Sequence, residues 1–215
     1  MLSQISPNLA VVLISCRLSV EDVANHPVFR YVRYACIHDQ LSDLCVLYLR
    51  ECDQTYTTIC TTHVHHLRNI RVLISYILPD KHLLFVDDDD QFVQAPLARI
   101  PQAAFRYDVV LLPRPSQIHL MTNVAEFFRV CPANWRRCVR ATALQRCGYD
   151  KGGQRRRGED YRLAQDLLRQ RLTYCYVMLP EPHYVYRPST DCRCGVVTDR
   201  ERLDAVERVS AYAIT

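Results

Sequence analysis

Residues 8–15, NLAVVLIS, form an unbroken apolar run rich in β-branched side chains, which predicts a strand buried on both faces. Behind it, Val20, Val23, Val28, Val32 and Cys36 recur at helical spacing, with a break near Pro27. DLCVLYLREC, 43–52, predicts the next strand. From Thr62, the residues Val64, Leu67, Ile70, Leu73, Ile74 and Ile77 follow a helical period until Pro79 ends the helix, and HLLFV, 82–86, is a further strand. Strand, helix, strand, helix, strand is the order of a mostly parallel sheet flanked by helices in an α/β domain. Ligands in such sheets sit at the carboxyl ends of the strands.

The second half is less regular. YDVVLL, 107–112, predicts a strand and TNVAEFFRV, 122–130, a helix. GYDKGGQRRRG, 148–158, holds four of the five glycines of the chain and predicts a loop. After it, Leu163, Leu167 and Leu168 mark one face of a helix beginning at Glu159, and TYCYVMLP, 173–180, reads as a strand. No repeat, low-complexity tail or linker divides the 215 residues, so one domain is expected.

Composition narrows the function classes. A formal charge of +4, from 27 basic and 23 acidic residues, is far from the profile of a dedicated nucleic-acid binder. The longest apolar runs are strand-sized, well short of the roughly 20 residues that span a bilayer. The first residues lack a basic segment followed by an apolar one, so no cleaved leader is expected. The eleven cysteines include no C-x-x-C pair, and only Cys192 and Cys194 stand close together. These features predict a soluble cytoplasmic or nuclear protein with reduced thiols that pack as small apolar side chains. In HVHH, 63–66, His63 and His66 share one side if helical, but without an acidic or cysteine partner nearby they make a poor metal site.

Charge placement points to chemistry. HLLFVDDDDQFV, 82–93, sets Asp87 to Asp90 directly behind a buried strand. Adjacent carboxylates raise one another's pKa unless a cation or strong donors hold them ionised, and oxygen ligands at this density suit Mg²⁺ or Mn²⁺. Glu159 and Asp160 open the helix behind the glycine-rich loop, where acidic residues also serve as ordinary caps. His183, in PEPHYVYRP, lies one helix and one strand further on.

RNIRVLISYILPDKHLLFVDDDDQFV resembles the pattern of family 2 glycosyltransferases, where an Arg-Asn pair opens a helix leading to a strand that ends in DxD. GYDKGGQRRRGEDYRLAQDLLRQRLTYCYVMLPEPHYVYRP is similar to the second half of the same GT-A fold, with its acidic-Asp pair and late histidine. The run of aspartates is also similar to that of exostosin-type transferases. The resemblance spans residues 8–188 and implies a single Rossmann-like GT-A domain with a mostly parallel sheet. The nucleotide-sugar half would cover about 8–95, the acceptor half about 96–190, and a tail 191–215.

The resemblance also implies roles. Asp87 and Asp88 would contact the nucleotide sugar, and Asp89, Asp87 and His183 would hold Mn²⁺ or Mg²⁺. Asp160 would be the base that deprotonates the acceptor hydroxyl, with Glu159 orienting the acceptor. Arg17, Arg68, Asn69 and Arg157 would line the nucleotide pocket, and Arg155 to Arg157 would close over the phosphates. Glu51 or Asp53 would bond the base, although ECDQT replaces the family's acidic-Ser-x-Asp turn. The implied activity is transfer, with inversion, from a nucleotide sugar, a UDP-sugar by preference, to a hydroxyl of a protein, a lipid head group or a modified nucleobase. A nucleotidyltransferase and an inactive GT-A scaffold are the competing readings. The first lacks its glycine-rich turn in ISCRLSVED.

Overall fold

The computed structural model describes residues 5–16, 22, 33–39, 42–50, 56–64, 67–88, 91–92, 94–113, 123–130, 136–149, 159–179 and 184–185. Ten strands occur among them: β1 Leu9–Ser15, β2 Tyr34–His38, β3 Leu44–Arg50, β4 Tyr56–His63, β5 His82–Asp87, β6 Gln91–Phe92, β7 Val109–Leu111, β8 Arg137–Arg140, β9 Tyr174–Tyr176 and β10 Tyr184–Val185. Among the described residues, the helices whose bounds are described are α1 Leu67–Ile77, α2 Gln94–Leu97, α3 Val124–Val130, α4 Ala141–Arg146 and α5 Glu159–Leu168, with a 3-10 turn at Gln102–Arg106.

Eight strands form one mixed sheet in the order β4-β3-β2-β1-β5-β8-β7-β9, and β6 pairs with β10 apart from it. The expected α/β class holds, but the sheet is mixed and mostly antiparallel where a mostly parallel one was expected, and it is not clearly Rossmann-like. Three neighbouring pairs are parallel, β1–β2, β1–β5 and β7–β9. Four are antiparallel, β2–β3, β3–β4, β5–β8 and β7–β8. The short links between β2, β3 and β4 leave no room for a crossover helix, so these strands turn back on one another. At the β2–β3 turn Asp43 takes a positive φ of 56°, a conformation its short polar side chain tolerates.

All seven residues of β1 are buried because both faces are covered. Ala10, Val12 and Ile14 join a core with Ile70 and Ile74 of α1, Phe127 and Phe128 of α3, Leu144 of α4 and Leu163 and Leu167 of α5. Leu9, Val11 and Leu13 face a second core with Leu97, Ile100, Phe105 and Leu179. The predicted strands at 8–15, 43–52, 107–112 and 173–180 and the helices at 122–130 and from Glu159 all contain the observed elements, and the strand predicted at 82–86 runs one residue further, to Asp87. Two assignments change. Cys36 belongs to strand β2, not to a helical face, and the helical period from Thr62 starts only at Leu67, because β4 runs through His63. His63 therefore ends a strand, and its ring bonds the Ser42 carbonyl at 3.0 Å. No described helix is long and apolar enough to cross a membrane.

His82 opens β5 buried, with Nε2 donating to the Tyr107 carbonyl at 2.8 Å and its ring edge-on to Phe105. Burial, aided by Arg140, pushes its pKa below the ordinary 6.5. A depressed folded pKa gives stability that is complete above the unfolded value and lost as pH falls through the folded one. Stability should therefore decline below pH 6.5, by at most about 1.4 kcal/mol per unit for this one proton. His82→Gln, which keeps a donor without a titration, should flatten that part of the decline in denaturant midpoints measured between pH 7 and 5. An equally steep decline in the variant would place the acid sensitivity elsewhere.

Candidate functional site

β5 is buried through Val86 and emerges at Asp87. It pairs in parallel with β1, Ile14 opposite Asp87, so the strand ends meet at one edge of the sheet. There the Ser15 hydroxyl donates to Asp88 Oδ2 at 2.5 Å. Asp87 lies two positions beyond Phe85, on the face covered by α1 and α5, because side chains alternate along a strand.

On that face two arginines are buried, Arg71 of α1 at 3% exposure and Arg137 of β8 at 1%. Arg71 Nη1 donates to Asp160 Oδ1 at 2.5 Å, and its guanidinium stands 5.8 Å from the centre of the Phe85 ring. Arg137 Nη2 donates to the Asp160 carbonyl at 3.2 Å, and its guanidinium stands 5.0 Å from the Phe128 ring. The first turn of α5 is thus tied through side chain and backbone to the carboxyl edge of the sheet.

The charges here depend on one another. Burial works against a positive Arg71, but the carboxylates of Asp160, Asp87 and Glu159 together outweigh it and hold its pKa above the usual value. Burial pushes Arg137 down to about 10, and the like charge of Arg71 adds to this while Asp160 opposes it. Burial also raises Glu159 above the ordinary carboxylate range, Arg71 acting in the other direction. A carboxyl so raised is better suited to accept and return a proton. The protein itself therefore contributes a cation beside the first aspartate of the run and a hydroxyl donor to the second.

Arg68, one turn before Arg71, is committed to holding the helices together. Its Nε and Nη2 reach Asp166 Oδ2 of α5 at 3.1 and 2.5 Å. Its Nη2 also donates to the Cys147 carbonyl at 3.0 Å, and Nη1 to the Gly148 carbonyl at 2.9 Å and to Asn69 Oδ1 at 3.3 Å. Gly148, at φ 62°, is the left-handed residue that ends α4 and turns those carbonyls toward Arg68. Arg68 and Asn69, expected to line a nucleotide pocket, are both buried in this interior network.

Of the residues singled out from the sequence, Asp87, Glu159 and Asp160 come together around Arg71, and Asp88 sits beside Ser15 at the same edge. Arg17, Glu51, Asp53, Asp89, Arg155, Arg156, Arg157 and His183 lie outside the described residues. Asp87 and Asp88 offer the hard oxygen donors that Mg²⁺ or Mn²⁺ takes. Among the described residues, no three His, Cys, Asp or Glu side chains are grouped so as to hold a metal ion. Arg71, Arg137 and Ser15 escaped the sequence reading. A signal for Arg71 was present, since Leu67, Ile70, Arg71 and Ile74 share the i, i+3, i+4, i+7 stripe of α1 that must face the core. A lone charge on such a stripe requires a buried partner. Compared with protein-family models, curated proteins and solved structures, the chain matches none.

Proposed function

We propose that the chain is a metal-dependent glycosyltransferase that moves a sugar, with inversion, from a nucleoside diphosphate donor to a hydroxyl acceptor. The observation that carries this reading is the meeting of Asp87, from the end of β5, with Glu159 and Asp160, from the start of α5, around one buried arginine. Asp87, with Asp89 and His183, would hold Mn²⁺ or Mg²⁺, which when bound neutralises charge on a departing diphosphate. Asp160 takes the acceptor proton, held in position by Arg71, and Glu159 orients the acceptor. UDP-sugars are the first donors to try, and proteins, lipid head groups and modified nucleobases the acceptor classes.

The test is UDP affinity with and without Mn²⁺, read as a rise in melting temperature, because a ligand bound to the native state stabilises it by mass action. Wild-type protein should bind UDP more tightly with Mn²⁺. Asp87→Asn should lose the metal-dependent part of that affinity, at least tenfold, with the fold intact. Metal-independent binding in the wild type, or unchanged affinity in the variant, would overturn the reading. A second reading, a catalytically inactive scaffold of the same fold, is favoured by the Arg71–Asp160 ion pair, because a purely structural Asp160 would make the same contact.

A further inference from the structure

β2 and β3 carry a pair of cysteines that the transferase reading does not use. Cys36 stands opposite Leu47 and Cys45 opposite His38 in the antiparallel ladder, so the two thiols are diagonal neighbours on one face. Their sulfurs are 3.1 Å apart, in hydrogen-bond contact, and no disulfide joins them. A disulfide bond of about 2.0 Å needs the sulfurs to close by only about 1 Å. Both side chains are 1% exposed, which excludes bulky disulfides such as glutathione disulfide and leaves oxidants of nearly the size of water.

We infer that Cys36 and Cys45 form a redox-active dithiol that hydrogen peroxide oxidises to a cross-strand disulfide. The hydrogen bond assigns the two sulfurs different parts. Either thiol can donate it; when Cys36 does, it lowers the pKa of Cys45 against the opposing effect of burial and raises that of Cys36. Cys45 is then the sulfur that ionises more readily, and the thiolate form is the nucleophile. Its sulfur attacks one peroxide oxygen, the O–O bond breaks, and hydroxide leaves to take up a proton as water. Cys45 is now a sulfenic acid, two electrons oxidised. The Cys36 sulfur attacks the Cys45 sulfur, the S–S bond forms, the S–O bond breaks, and the hydroxyl departs with the Cys36 proton as a second water. In sum, two thiols and one peroxide become one disulfide and two waters.

Trypsin cleaves after Arg33 and Arg50, so Tyr34–Arg50 is a single peptide whose only cysteines are Cys36 and Cys45. The full chain, reduced and freed of reductant, is treated folded with a few equivalents of hydrogen peroxide, then unfolded in iodoacetamide, digested and weighed. Most of this peptide should lack both alkyl groups and be lighter by two hydrogens, and dithiothreitol before alkylation should restore both groups. The same treatment of the urea-unfolded chain should yield at least tenfold less of the internal disulfide. The inference is overturned if the peptide stays doubly alkylated, carries a sulfinic acid, links to a Cys16 or Cys60 peptide, or closes equally well in urea. None of these readouts depends on sugar transfer or needs a variant to fold.

Discussion

Replacing Asp160 by asparagine is expected to slow sugar transfer by on the order of 10²–10⁴-fold, the contribution of a positioned general base. Donor affinity should hardly move, because the diphosphate would be held at the end of β5 and not by this side chain. The fold should also weaken. Asp160 Oδ1 accepts a 2.5 Å bond from a buried guanidinium, and a hydrogen bond to a charged group is worth roughly 1.5–3 kcal/mol. Simple helix capping would lose only about 0.3–1 kcal/mol, since asparagine caps as well as aspartate. The measurements are turnover of labelled UDP-sugars, with hydrolysis by water where no acceptor is known, beside denaturant midpoints. A variant that is less stable yet turns over at the wild-type rate per folded molecule would make Asp160 a structural partner of Arg71. Glu159→Gln should cost less activity than Asp160→Asn. The reverse order would assign the proton to Glu159, whose burial already raises its pKa.

Arg68→Ala should destabilise the chain by on the order of 3–5 kcal/mol, the cost of removing one partner from a buried ion pair. For a domain of this size, each kcal/mol is about 2–4 °C in melting temperature. The loss is large because Arg68 is the joint between α1, the end of α4 and α5. Its removal leaves Asp166 Oδ2 and the carbonyls of Cys147 and Gly148 without this donor in a partly buried space, while Arg169 still reaches Asp166 Oδ1 at 3.1 Å. Arg68→Lys should recover only part of the loss, since an ammonium lacks the planar fork that reaches both targets. A shift in denaturant midpoint at constant slope is the expected signature. A change below about 0.5 kcal/mol, the range of ordinary surface substitutions, would show that the network is dispensable.

Both predictions concern arginines of one helix that the sequence shows only as charges. Its amphipathic period, from Leu67 to Ile77, was legible because burial of an apolar stripe is a local property of spacing. Whether Arg68 meets a nucleotide or Asp166 was not, because Asp166 is 98 positions away and only packing joins them. The same limit explains the sheet. β4, YTTICTTH, is a half-buried edge strand of which four of eight residues are threonine, which has strand propensity but makes no apolar run to announce it. β8, RCVR, is four residues long with an arginine at each end.

By itself the chain's order of residues determined where the long buried strands lie, that the fold is α/β, that an acidic run follows a core strand, and that a second acidic pair opens a helix. These are consequences of hydrophobic periodicity and turn chemistry over neighbouring residues. The tertiary structure decided strand direction, since short links can join antiparallel neighbours whose composition is indistinguishable from that of parallel ones. It also decided the electrostatics. Arg71 is flanked in sequence by apolar residues, yet in the fold it stands among Asp87, Glu159 and Asp160, because the ends of β1 and β5, the start of β8 and the first turn of α5 meet at one edge. Charge interactions depend on distance and on the exclusion of water, and both are set by packing and not by position along the chain.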